Sequence, residues 1–133
     1  MKQLMLLVLL TFSGNSMAEW VEYSTRQNGD IYFFDNARVE KNDNQISVWT
    51  RILYKTSVMG ASSYQSFMKI DCSEKSEITS QTTFYSDTDW TTAAMATNPK
   101  EKPKKLIKAD SATEQLAAIL CNCLLYTSPS PRD

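Results

Sequence analysis

From Trp20 to Ser86, polar and apolar residues alternate in blocks with the two-residue period of half-buried strands. Trp20-Val21-Glu22-Tyr23 opens the first strand. Gln27 to Asp30 (QNGD) is a tight turn, because Asn-Gly tolerates the positive φ angles of a hairpin. Ile31 to Phe34 is the return strand. Asp35 to Lys41 reads as a short irregular or helical connection, and Lys41 to Asn44 (KNDN) as a second turn. Gln45 to Lys55 carries the strongest pattern, with Ile46, Val48, Ile52 and Tyr54 on one face and Trp49 and Leu53 on the other. In Ser62 to Cys72, the side chains of Tyr64, Met68, Ile70 and Cys72 point one way. Glu77 to Ser86 follows, with Ile78 and Phe84 on one face and Thr and Tyr on the other. Short connections favour antiparallel neighbours. There is no internal repeat.

The composition then shifts. Asp87 to Ala109 holds two prolines, a Trp and five lysines, and reads as a long irregular connection. A helix follows. Ser111 as N-cap and Glu114 three residues on form a capping box. Leu116, Ile119 and Leu120 make its apolar stripe, flanked by Ala112 and Ala117. The stripe needs a surface to bury against, and a sheet supplies one. The expected fold is therefore α+β, an antiparallel sheet of about five to six strands with a C-terminal α-helix packed on one face.

The ends of the chain bear on where it works. Lys2, the apolar run Leu4 to Phe12 and the small residues of Ser16-Met17-Ala18 compose a signal peptide over residues 1–18, cleaved between Ala18 and Glu19. The apolar run is far short of the roughly 20 residues that span a bilayer. No cysteine follows it to carry a lipid. The expectation is an exported protein, in the periplasm or at the outer cell surface, whose cysteines meet an oxidising compartment. At the other end, one coding of Cys123 to Asp133 (CLLYTSPSPRD) reproduces, residue for residue, the read-through of a transposase adapter used in sequencing libraries. Residues 123–133 are accordingly expected to be non-native, leaving one domain over 19–122. That removes the Cys121-Asn122-Cys123 pair as a metal or redox motif. It leaves Cys72 and Cys121, which are expected to form a disulfide holding the helix on the sheet; the alternative is two unpaired buried thiols.

The chain has 14 basic and 15 acidic residues, so its net charge of −1 gives no global attraction to nucleic acid or anionic membrane. It has no histidine, which removes the usual general base and zinc ligand. No glycine-rich phosphate loop is present, and two distant cysteines are not a redox dithiol. No enzymatic activity, cofactor or metal is expected. Ser86 to Trp90 (SDTDW) offers two carboxylates beside a Trp, too few oxygens for calcium, and reads as a polar loop with one anchoring indole. Lys100, Lys102, Lys104, Lys105 and Lys108 form the candidate binding patch, a cationic segment on an acidic protein that suits an acidic partner; the alternative is a solvated loop. Tyr32, Trp49, Phe67 and Tyr85 are candidates to line the face away from the helix, as a contact surface or as core.

The order Trp20-Val21-x-Tyr23, Tyr32 to Asp35 (YFFD), Val48 to Tyr54 (VWTRILY), Asp71-Cys72, Thr83 to Ser86 (TFYS) and a helix ending in Cys121 resembles the surface-adhesin protein E family of Gram-negative bacteria. The resemblance implies a helix tethered to the sheet through Cys72 and Cys121. It also implies binding of extracellular-matrix or serum proteins such as laminin, vitronectin and plasminogen, and a homodimer as one assembly. The competing expectation is a periplasmic structural or envelope domain without a host ligand.

Overall fold

The computed structural model describes residues 17–125; most of the expected signal peptide (1–16) and most of the expected non-native tail (126–133) lie outside the described residues. One antiparallel sheet of seven strands forms the body. Its strands are β1 (Trp20–Thr25), β2 (Ile31–Asp35), β3 (Glu40–Asn42), β4 (Gln45–Val58), β5 (Ala61–Asp71), β6 (Ser76–Tyr85) and β7 (Lys105–Leu106), followed by α1 (Ala112–Leu125). The spatial order is β1-β2-β4-β5-β6-β7, and β3 pairs with β4 beside that path. The two elements beyond the main strands are the short β3 and β7. No helix among the described residues is long and apolar enough to cross a membrane.

The turns follow local chemistry. Gly29 takes φ 96° in the β1–β2 turn, where its N–H donates to the Arg26 carbonyl at 2.9 Å. Asp43, at φ 59°, turns β3 into β4, and Met59-Gly60, both at positive φ, turn β4 into β5.

Cross-strand partners share a face, so the register assigns every side chain to one side of the sheet. Phe34, Ile46, Val48, Met68 and Ile70 face α1 and enclose Leu116 and Leu120 in the core. Leu116 is fully buried and Leu120 is 4% exposed. Each such side chain contributes about 1.5–3 kcal/mol on burial. Ile119, expected in the same stripe, is 43% exposed. The row Ala112-Leu116-Leu120 centres the buried face, and Ala117 and Cys121 extend it on the side opposite Ile119. The N-terminus of α1 is capped as a variant box. Ser111 Oγ accepts from the Glu114 N–H at 3.1 Å, while Glu114 Oε1 accepts from the Asp110 N–H at 2.8 Å. Arg26 ties that end to the β1–β2 turn by donating to Gln115 Oε1 and the Asp110 carbonyl. The other end is held by the Cys72–Cys121 disulfide, whose Cα atoms are 5.8 Å apart.

The expected pairing of Ile78 with Phe84 on one face does not hold. Between Gln65–Thr83 and Phe67–Ser80 the register slips, leaving one extra residue on β6, and Gln81 there takes φ 52°. This β-bulge reverses the alternation. Phe84 therefore lies with Tyr64 on the helix side, and Ile78 with Lys69 on the other.

The segment after β6, expected to be irregular, is laid antiparallel along that strand. Ala94 donates to Phe84, Thr82 and Asn98 exchange both hydrogen bonds, Lys102 donates to Thr79, and Ile107 donates to Lys75. It satisfies the backbone of β6 and covers what is otherwise an open edge.

Candidate functional site

The face of the sheet away from α1 has no helix over it among the described residues, and its centre is Arg51 on β4. Register places Glu22, Phe33, Arg51, Gln65 and Thr83 in one row across five strands. Arg51 is half-buried, and its guanidinium lies 4.1 Å from the ring centroid of Trp20 and 4.7 Å from that of Trp90. Cation–π contact with an indole is the most favourable of its kind. Arg51 Nε donates to Gln65 Oε1 at 2.8 Å. Burial pushes the Arg51 pKa down from its ordinary value, while Tyr85 and Asp35 act in the opposite sense. The group stays cationic at any physiological pH.

Trp90 arrives from the loop after β6. Its indole N–H donates to the Tyr64 carbonyl at 3.1 Å, and its ring meets Phe33 edge-on at 5.9 Å. Trp90 holds φ 56°, a left-handed conformation that costs a bulky residue on the order of 1–3 kcal/mol. Asp87 maintains the loop by accepting from the Thr91 and Thr92 N–H groups and the Thr91 hydroxyl. Those hydrogen bonds, led by the Thr91 hydroxyl, hold the Asp87 carboxyl below the usual range despite some desolvation. In SDTDW, Asp87 thus shapes a turn and Trp90 packs onto the sheet.

Beside Arg51 lies Asp35, which is fully buried. Its Oδ1 accepts from the Glu19 N–H at 2.9 Å and the Ala37 N–H at 3.0 Å, and its Oδ2 accepts from Arg38 Nε at 2.6 Å. Burial pushes this carboxyl upward, but the Glu19 N–H, the Arg38 guanidinium and the Ala37 N–H together hold it below its ordinary value. Arg38 and Asp35 pair with each other at 2.6 Å, and no carboxylate forms an ion pair with Arg51 among the described residues.

Three of the four aromatic candidates fall on this face. Trp49 and Phe67 are cross-strand partners with centroids 5.0 Å apart, and Tyr85 pairs with Ser63 in the same layer. Tyr32 does not. It pairs with Ile52 and meets the Tyr23 ring at a tilt, centroids 5.9 Å apart, on the helix side, because Phe33 takes the outward position opposite Arg51.

The lysine segment forms a separate region. Lys100, Lys102, Lys104 and Lys105 are exposed along the β6 edge, and Lys108 precedes the α1 cap. The structure partly neutralises them. Lys104 Nζ reaches Glu74 at 2.9 Å, and Glu101 within the segment engages Lys69 at 3.0 Å. Lys105 is the cross-strand neighbour of Glu77, which is only 7% exposed. Burial raises the Glu77 pKa, and Lys105 opposes that shift. A cavity of about 430 Å³ lies between Tyr64, Glu77, Thr79 and Lys102 to Lys105. These lysines do not meet the Arg51 face.

Neither Arg51 nor Trp20 is among the site residues that the sequence pattern marks. The signal for Arg51 is a charged residue between Trp49 and Leu53 at an outward position of a strong strand; Trp20 carries none.

A family model described as surface-adhesin protein E matches residues 20–122. No curated protein matches the chain by sequence. Solved structures of Haemophilus influenzae protein E share the fold. Its crystal form II superposes with a TM-score of 0.63 at 12% identity, covering 82% of this chain and 91% of that one. A second structure of the protein gives 0.61 at 13% identity, covering 86% and 92%. Protein E from a non-typeable strain gives 0.59 at 13% identity, covering 86% and 83%.

Proposed function

The chain belongs to the surface-adhesin protein E family, and from that premise we propose that it is an exported, non-enzymatic binding protein that engages a host matrix or serum protein through the sheet face opposite α1. Residues 1–18 act as the removable export signal in this reading. One observation carries the choice of face. The helix and the Cys72–Cys121 disulfide close one side of the sheet, whereas the other presents Trp20, Phe33, Arg51 and Trp90 in mutual contact. Trp and Arg are the residue types that dominate interface energetics. The exposed lysines at 100, 102, 104, 105 and 108, along the β6 edge and ahead of α1, apart from the Arg51 cluster, add a cationic segment that steers acidic partners at a distance.

Two measurements test this together. Protease shaving of intact cells, with a periplasmic marker as control, is expected to remove the protein and spare the marker. The purified domain is expected to bind immobilised laminin, vitronectin or plasminogen saturably. Protection until the outer membrane is opened, with no binding to any of the three, supports instead a periplasmic envelope domain without a host ligand.

A further inference from the structure

Among the described residues Arg51 is a cation without an ion-pair partner, in a surface it shares with indole rings. Among the described residues its only hydrogen bond is from Nε to Gln65, so both terminal nitrogens lack a hydrogen-bond partner. Asp35, the nearby carboxylate, has both oxygens engaged by Glu19, Ala37 and Arg38. The group is nevertheless held in place, by Gln65 at its root and by the Trp20 and Trp90 rings, whose centroids lie 4.1 and 4.7 Å from its central carbon. Trp90 keeps an unfavourable φ of 56° to stand there. Ordering the guanidinium before a partner arrives lowers the entropic cost of binding.

We propose that Arg51 is a receptor for the carboxylate of an Asp or Glu side chain presented by a protein partner. This rests on the reading of the chain as a protein-binding module and names the chemistry of its contact. Because Nε is occupied, the carboxylate meets the two terminal nitrogens end-on, each oxygen accepting one N–H. The planar fork matches a planar carboxylate. Trp20, Trp90 and Phe33 exclude water from the pair and offer apolar contact to residues flanking the acid. Charge complementarity at Arg51 itself selects the occupant: Arg38 is already paired with Asp35 at 2.6 Å, whereas the Arg51 terminal nitrogens hold no carboxylate among the described residues, so an acidic side chain answers that one open cation. A phosphate group, with more charge and no flat edge, is better served by several donors than by one walled guanidinium.

The test uses the mature protein with 15N label, titrated with the blocked peptides acetyl-Leu-Glu-Leu-amide and acetyl-Leu-Gln-Leu-amide. The readouts are the Trp20 and Trp90 indole N–H resonances and Arg51 Nε–H. The Glu peptide is expected to shift these resonances saturably and to bind at least about tenfold tighter than the Gln peptide, the loss that follows from one charge-assisted hydrogen-bonded contact. Arg51→Lys keeps the charge and removes the fork, and is expected to bring the Glu peptide down to the Gln level. Equal binding of the two peptides by the wild-type protein overturns the proposal, and that comparison needs no variant. Tighter competition by inorganic phosphate than by the Glu peptide overturns it as well. The broader reading fails separately. Loss of all matrix-protein binding alongside selective Glu-peptide binding rejects the adhesin role and keeps the receptor, whereas a matrix protein bound equally by wild type and Arg51→Lys rejects the receptor alone.

Discussion

Replacing Cys72 and Cys121 together by Ser removes the bond that fixes the C-terminal end of α1 and leaves the apolar contacts of Leu116 and Leu120 in place. The two cysteines are 49 residues apart in sequence. Closing a loop of that length restricts the unfolded chain by about 4 kcal/mol in the chain-entropy account. Small domains have a total stability of about 5–15 kcal/mol, so the variant still folds at room temperature with little margin. At about 4–8 °C per kcal/mol for a domain of this size, the midpoint of thermal unfolding falls on the order of 20 °C. Urea unfolding followed by tryptophan fluorescence and far-UV circular dichroism measures it. The slope with urea is expected to rise, because the unfolded chain expands once the loop opens. A stability loss below about 1 kcal/mol refutes the reasoning. It means that the Arg26 contacts and the apolar seam hold the helix alone, and that the bond adds nothing the packing does not supply.

Four further outcomes are expected. Asp35→Asn places an amide N–H against Arg38 Nε and should cost about 2–4 kcal/mol in urea unfolding. Because the Asp35 pKa is lowered on folding, its charge stabilises fully above about pH 3.9 and progressively less as the pH falls through the folded value; a difference from wild type that persists unchanged into strong acid contradicts this. Glu77→Gln should stabilise the domain at neutral pH and not below the ordinary glutamate range of about pH 4.3, because burial raises the Glu77 pKa and its ionised form opposes folding. If the mature chain begins at Glu19, its α-ammonium takes the place of the amide N–H on Asp35; that chain should be more stable than one retaining Met17-Ala18, with the advantage fading as the pH rises above about 8 and the amine deprotonates. Replacing Lys100, Lys102, Lys104, Lys105 and Lys108 by Ser should weaken partner binding and flatten its salt dependence, measured by biolayer interferometry at two ionic strengths; unchanged affinity and slope remove the segment from the interface.

What the sequence makes legible is local. The Asn28-Gly29 turn, the alternation of β4 and the Ser111–Glu114 cap each depend on a few neighbouring residues, and each lies where the pattern puts it. The face assignment of β6 fails at Gln81, since a glutamine at positive φ has no sequence signature and one inserted residue inverts every position beyond it. Asp87 to Ala109 reads as loop because its hydrogen bonds to β6 are made by backbone, which composition does not reveal. The candidate site is less legible still. Trp20, Arg51 and Trp90 come from β1, β4 and a loop, and only the strand order brings them together. A charged residue inside VWTRILY is visible in the sequence, but the indoles that flank it are not. The Cys72–Cys121 bond is the one expected once Cys123 is set aside with residues 123–133, because two cysteines then remain to pair.

If partners bind on the sheet face opposite α1, Trp90→Ala loses affinity for a matrix protein that the wild type binds. The expected loss is about thirtyfold, the effect of truncating a central interface tryptophan worth about 2 kcal/mol, with the far-UV spectrum and the disulfide unchanged. Wild-type affinity in a folded Trp90→Ala protein contradicts the claim and moves the interface away from this face.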